Sequence, residues 1–168
     1  MTETTAWTAS SVFASADEPA PSVSVYLAGQ GADAQKLGLA APQSAWLDAQ
    51  KFLGAAKKAM LLPDADGRLT GVVLGAGDGK GGEPSGPSEL LLGQLASSLP
   101  AGLYRLANQP AEAELAAIAW GLGSYRFTRY RASDRKKSEA PRAQLVIPGG
   151  VDAARVAGGE TRDQPEVD

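Results

Sequence analysis

The stretch from Pro110 to Arg131, PAEAELAAIAWGLGSYRFTRYR, constrains what this chain can fold into more than any other. Its apolar residues recur at helical spacing twice over. Leu115, Ile118, Leu122 and Tyr125 form one stripe, and Trp120, Gly123, Phe127 and Tyr130 form a second at the same intervals. A helix that is apolar on two faces is usually covered on two sides. We assign Leu115, Ile118, Leu122 and Tyr125 to the chain's own sheet. Trp120, Phe127 and Tyr130, with Arg126 and Arg129 between them, are then the candidates for docking a second domain or subunit. Gly121 and Gly123 each cost about 1 kcal/mol relative to Ala inside a helix, as expected of positions kept small for close packing. Glu112 and Glu114 at one end and Arg126, Arg129 and Arg131 at the other complement the helix dipole. Pro110 suits the first helical position, with Asn108 or Gln109 as cap.

Strand and helix patterns alternate before and after this helix. Residues 1–21 mix Ser, Thr, Ala and Pro without a stable period and read as a flexible N-terminal arm. Ser22 to Ala28 alternates as a strand, with Val23, Val25 and Leu27 on one face. Pro42 to Leu53 reads as a helix with Trp46, Ala49 and Leu53 on one side. The runs Ala59–Leu62 and Leu69–Leu74 flank an Asp66-Gly67 pair, a hairpin signal. A glycine-rich exposed loop from Gly75 to Pro87 follows. Ser88–Leu99 reads as a helix that is capped by Ser88 and buries Leu91, Leu92 and Leu95. Strands are expected over Gly102–Ala107 and Ala143–Ile147, then a short helix from Asp152 to Ala157. The alternation predicts one α/β layered domain over residues 22–157, ending in a disordered acidic tail over 158–168. The hairpin makes the expected sheet mixed.

Composition removes whole classes of chemistry. The 168 residues include no Cys and no His. Disulfides, thiolate nucleophiles, Cys- or His-ligated metals and a Ser-His-Asp triad are therefore excluded within this chain. Catalysis would have to rest on carboxylates, Lys, Tyr or backbone dipoles. A net charge of −3 gives no electrostatic case for nucleic acid across the chain. No window reaches the roughly 18 apolar residues of a membrane span. The N-terminus lacks the basic and apolar regions of a signal peptide, so a cytoplasmic location is expected.

Three local motifs invite a sharper reading. Gly77-Asp-Gly-Lys-Gly-Gly82 satisfies G-x-G-x-x-G, but Glu83, Pro84, Gly86 and Pro87 intervene before a helix can start, so an exposed loop is the expectation. Asp64-Ala-Asp-Gly-Arg68 places two carboxylates beside an arginine, yet lacks the further oxygen ligands of a Ca²⁺ or Mg²⁺ site and reads as a turn. Residues 126–142 carry seven basic and two acidic side chains interleaved with aromatics. That pattern occurs on nucleic-acid surfaces. We favour a helix end and solvated loop whose arginines pair with acids of a neighbouring domain.

The motifs Leu103-Tyr-Arg-Leu106, Trp120-Gly-Leu-Gly-Ser-Tyr-Arg-Phe-Thr-Arg-Tyr130, Met60-Leu-Leu-Pro-Asp-Ala-Asp-Gly67, Ala143-Gln-Leu-Val-Ile-Pro-Gly149 and Asp152-Ala-Ala-Arg-Val-Ala157 resemble the amino-terminal domain of the leucine (cytosol) aminopeptidase family, bacterial branch. The likeness covers roughly residues 22–157. It implies a three-layer α/β/α sandwich, macro-domain-like, packed on a separate catalytic domain. The family's enzymes are metallopeptidases with two divalent metals (zinc, manganese or magnesium), usually hexameric, and their metal ligands and assisting Lys and Arg lie in the carboxy-terminal domain. Nothing of that domain is present here, so no catalytic, cofactor or metal residue carries over. The reading is a non-catalytic assembly or regulatory domain whose partner is an aminopeptidase catalytic domain or neighbouring subunit. The alternative is a stand-alone macro-like module that holds ADP-ribose or a phosphorylated nucleotide on the Gly75–Gly82 loop.

Overall fold

A computed structural model describes residues 12–31, 34–78, 88–125 and 142–156. Six strands form one mixed sheet: β1 (Phe13–Ala14), β2 (Val23–Gly29), β3 (Ala59–Pro63), β4 (Leu69–Gly77), β5 (Gly102–Leu106) and β6 (Ala143–Val146). Their order is β1-β6-β5-β2-β4-β3, with every neighbouring pair parallel except the β3–β4 hairpin. Helices α1 (Ala41–Ala49), α2 (Leu92–Ser98), α3 (Ala113–Ser124) and the one-turn α4 (Ala153–Val156) complete the layers. The expected α/β sandwich with a mixed sheet is what forms.

The two faces of the sheet bury separate cores. Alternation along β2 sends Val23, Val25 and Leu27 to one face, where they meet Leu92, Leu95, Tyr104, Trp120 and Leu145. Ala28 points the other way, into a smaller cluster with Leu47, Phe52, Leu62 and Val73 under α1. β4 is central and covered on both sides, so Val72, Val73 and Leu74 are all fully buried, and its continuous apolar run follows from that position.

Two expectations change. The segment expected as a free arm supplies β1, whose Phe13 and Ala14 pair with Leu145 and Val146. Val12 is fully buried in the main core. α1 ends at Ala49 instead of running to Leu53. It closes in a Schellman pattern, with Phe52 N–H donating to Leu47 O (3.1 Å) and Lys51 N–H to Asp48 O (3.0 Å). The reversal removes Leu53 from helical phase. Leu47 becomes the residue that α1 buries, while Trp46 and Leu53 stay exposed.

Candidate functional site

α3 presents the opposite face to the one its spacing suggested. Ala116, Ala117 and Trp120 are fully buried and Ser124 nearly so, whereas Ile118, Tyr125 and Leu122 are 38%, 58% and 71% exposed. The reason is the closeness of the helix to its neighbours. A Cβ on Gly93 of α2 would lie 2.7 Å from Ala119 O, and one on Gly123 would collide with the Gly93 carbonyl. Only the alanine- and glycine-rich face permits that approach. Trp120 is accommodated because its ring lies over Tyr104 of β5, with centroids 5.9 Å apart at 44°. Its Nε1 has no hydrogen-bond partner among the described residues.

This corrects the docking assignment. Trp120 belongs to the chain's own core and cannot be offered to a partner. Arg126, Phe127, Arg129 and Tyr130 lie outside the described residues. The stripe that a partner can reach is Ile118, Leu122 and Tyr125. The density of Ala and Gly in Ala116-Ala-Ile-Ala-Trp-Gly121 was the available signal for the inner face, since small residues mark close helix contacts.

The ends of α3 are fixed by side chains from elsewhere. Its first turn has no local cap. Instead the Glu112 N–H donates to the buried Glu89 carboxylate (Oε1, 3.3 Å), which also suits the positive end of the helix dipole. The expected cap, Asn108, does something different: its side-chain amide pairs with both backbone groups of Leu27, accepting from N–H and donating to C=O at 2.9 Å each. It thereby extends the β5–β2 ladder with a side chain. At the other end the helix stops at Ser124, earlier than the expected Arg131, because Tyr125 takes an extended backbone. The Arg142 guanidinium donates to Ser124 O at 3.3 Å, satisfying an end carbonyl. Arg155 of α4 pairs with Glu114 at 3.2 Å. Glu114 precedes Ile118 by one turn, so α4 borders the exposed stripe.

The rival site, at the carboxyl ends of β2 and β4, is closed by the chain itself. α1 and α2 leave these neighbouring strands on opposite faces, which makes this the switch point where open α/β sheets hold ligands. Here the segment Leu53–Lys58 occupies it. Gly77 N–H donates to Gly54 O (3.0 Å), Gly75 N–H to Lys58 O (2.8 Å) and Gly31 N–H to Leu53 O (2.8 Å). A Cβ on Gly54 or Gly75 would collide with the backbone of Gly29 or Ala55, so the glycines exist for this close fit. The Gly75 and Gly77 amides are thus already used, and the nucleotide-cradle alternative is not supported. Gly79–Gly82 lie outside the described residues. Asp64 likewise is a turn residue: its Oδ1 accepts from Asp66 N–H (2.9 Å) and Arg68 N–H (2.8 Å).

Among the described residues no three carboxylates come together in a way that could hold a metal ion. No helix among them is long and apolar enough to cross a membrane.

Residues 27–148 match the family described as M17 aminopeptidase, N-terminal domain. The chain belongs to this family. The M17 N-terminal domain is similar in structure to the cytosol aminopeptidase from Coxiella burnetii, with a TM-score of 0.62 and 26% identity over 83% of this chain. The match spans only 29% of the length of that enzyme. The bottromycin maturation enzyme BotP, in complex with Mn, shares the fold at a TM-score of 0.54 and 18% identity, over 83% of this chain and 28% of BotP. A second BotP structure gives 0.50 and 19%, over 82% of this chain and 29% of its own. No curated protein matches the chain. The two metals implied by the family resemblance find no fitting donor set among the described residues of this M17 domain, and no chemistry through them is assigned to it.

Proposed function

We propose that this M17 N-terminal domain serves assembly, seating the outer stripe of α3 on the catalytic domain of a leucyl aminopeptidase-type metallopeptidase that removes N-terminal residues from peptides. The observation that carries the reading is the exposure of Ile118 and Leu122 on a helix whose other face is fully packed, with Tyr125 exposed just past its end. Scattered exposed apolar residues are ordinary, but two a turn apart with a third just beyond them are an unfilled contact. Two further observations support it. The cytosol aminopeptidase that the chain resembles is more than three times longer than the matched part, since that part covers 29% of it. α4, the last described element, lies beside α3 next to the stripe. A cytoplasmic setting belongs to the same reading.

Two measurements test it. The purified chain with added Mn²⁺ or Zn²⁺ is expected to leave leucine p-nitroanilide intact, and metal-dependent turnover would overturn the non-catalytic assignment. Calorimetric titration with an isolated M17 catalytic domain is expected to show binding that Leu122→Asp weakens by about tenfold or more, the loss typical of a central apolar contact. Equal binding by the variant would remove α3 from the interface.

A further inference from the structure

β1 fills a defined slot in the main core while being held to the sheet by very little chain. Val12 and Phe13 are 0% and 7% exposed. Their strand meets β6 through the parallel pairs Phe13–Leu145 and Ala14–Val146. Backbone bonds run from Leu145 N–H to Val12 O (2.9 Å) and from Ile147 N–H to Ala14 O (3.1 Å). The order of the sheet places β6 and β5 between β1 and β2. Residues 15–22 must therefore cross behind two strands to continue the fold.

That crossing is a thin strap. Most of its residues are exposed, and Pro19 and Pro21 keep it extended and remove two N–H donors. It is tied down from β5 by Arg105, whose guanidinium donates to Ala16 O (3.3 Å) and Glu18 O (3.0 Å). Among the described residues the other bonds of the strap are internal, such as Glu18 N–H to Ser15 O at 3.1 Å. Opening it exposes an apolar slot and the unpaired edge of β6, which a second strand of the same sequence fits equally well.

We propose that β1 is exchangeable, with the slot beside β6 accepting Val12–Ala14 from a second copy of this chain to give a strand-swapped dimer. The contacts at the slot are the same within one chain and between two. The equilibrium is therefore set by the strap and by protein concentration, the usual condition for swapping a terminal element. The match to the M17 family begins at residue 27, beyond β1 and its strap. Exchange is read by a cross-link at β1 and docking by a titration at α3, so either can fail without the other.

The absence of cysteine from the sequence makes a direct test available. Ala14 and Val146 are register partners, spaced as a disulfide requires. One full-length chain carries Ala14→Cys and another Val146→Cys; the two are mixed at high concentration and then mildly oxidised. A double variant in one chain, closing an internal bridge, establishes that both positions fold normally. The expected result is a covalent heterodimer about tenfold above that from Ala14→Cys mixed with Ala65→Cys, as exchange predicts. Equal yields overturn the proposal. If a cysteine variant does not fold, sedimentation of the unmodified chain decides. A dimer that grows with concentration and grows further in Arg105→Ala, which frees the strap, supports exchange, and a monomer at every concentration overturns it.

Discussion

Gly93 and Gly123 meet backbone to backbone where α2 crosses α3, closely enough that a Cβ on either would strike the other helix. Gly123→Ala is therefore expected to destabilise the domain by about 1–3 kcal/mol through overpacking, despite the higher helix propensity of Ala. Gly149→Ala is the control: nothing lies within 4 Å of its Cβ position, and its backbone is not left-handed. That variant should be neutral or raise stability by about 0.5 kcal/mol. Urea unfolding of both variants separates the cases, and equal midpoints would refute the close-contact account.

Truncation on the two faces of α3 should give opposite outcomes. Trp120→Ala empties a fully buried site against Tyr104 and is expected to cost about 3–5 kcal/mol. Leu122→Ser, at a position 71% exposed, should change the thermal midpoint by no more than about 0.5 kcal/mol equivalent. Reversed sensitivities would restore the arrangement suggested by periodicity.

This contrast shows what the sequence could carry. Helical spacing located α3, the Asp66-Gly67 pair located the hairpin, and apolar runs located β2, β4, β5 and β6. Each of these signals is local. Two apolar stripes on one helix are equivalent to periodicity, and what chose between them was a distance set by α2, through Gly93, some thirty positions earlier in the chain. Asn108 suits a helix cap by sequence because capping is a common role of its side chain. Its partner, Leu27, is 81 residues away and invisible to any window. β1 escaped for a simpler reason, since two residues cannot establish a period. Of the docking residues, only Trp120 could be placed, and its large ring lies inward because the Tyr104 ring and the small alanines leave room there.

Lys51 holds the left-handed position of the Schellman turn after α1, at φ 51°. Glycine adopts that conformation without the Cβ strain that other residues bear. Lys51→Gly is expected to stabilise the domain by about 0.5–1 kcal/mol, read as a higher urea midpoint at unchanged slope. A fall in midpoint would show that the turn relies on the lysine side chain.

Asn108→Ala leaves the N–H and C=O of Leu27 without their partner, at a cost of about 2 kcal/mol. Asn108→Asp keeps the acceptor and loses the donor, so it should fall between wild type and the alanine variant. Faster amide exchange at Leu27 in the alanine variant, with little change in the aspartate variant, would locate the loss.

Burial raises the Tyr104 hydroxyl above its ordinary value of 10.0, while the group donates to Pro100 O at 2.9 Å. A raised folded value means that the neutral form is preferred in the native state. Its stabilisation is full below pH 10.0 and is lost as pH rises through the folded value. Unfolding midpoints should therefore fall as pH rises above 10.0 in the wild type, and fall less in Tyr104→Phe, which cannot ionise. Parallel curves would show that Tyr104 is not the group responsible.

The bond from Arg142 to Ser124 O has a consequence for engineering. The end of α3 and the approach to β6, 18 positions apart in sequence, are tied directly by that one side chain. Closing a longer excursion between fixed ends costs only about 0.6 kcal/mol for each doubling of its length. With those two ends held by the described fold, a reporter, tether or foreign module inserted between Tyr125 and Arg142 is expected to leave the sandwich its shape.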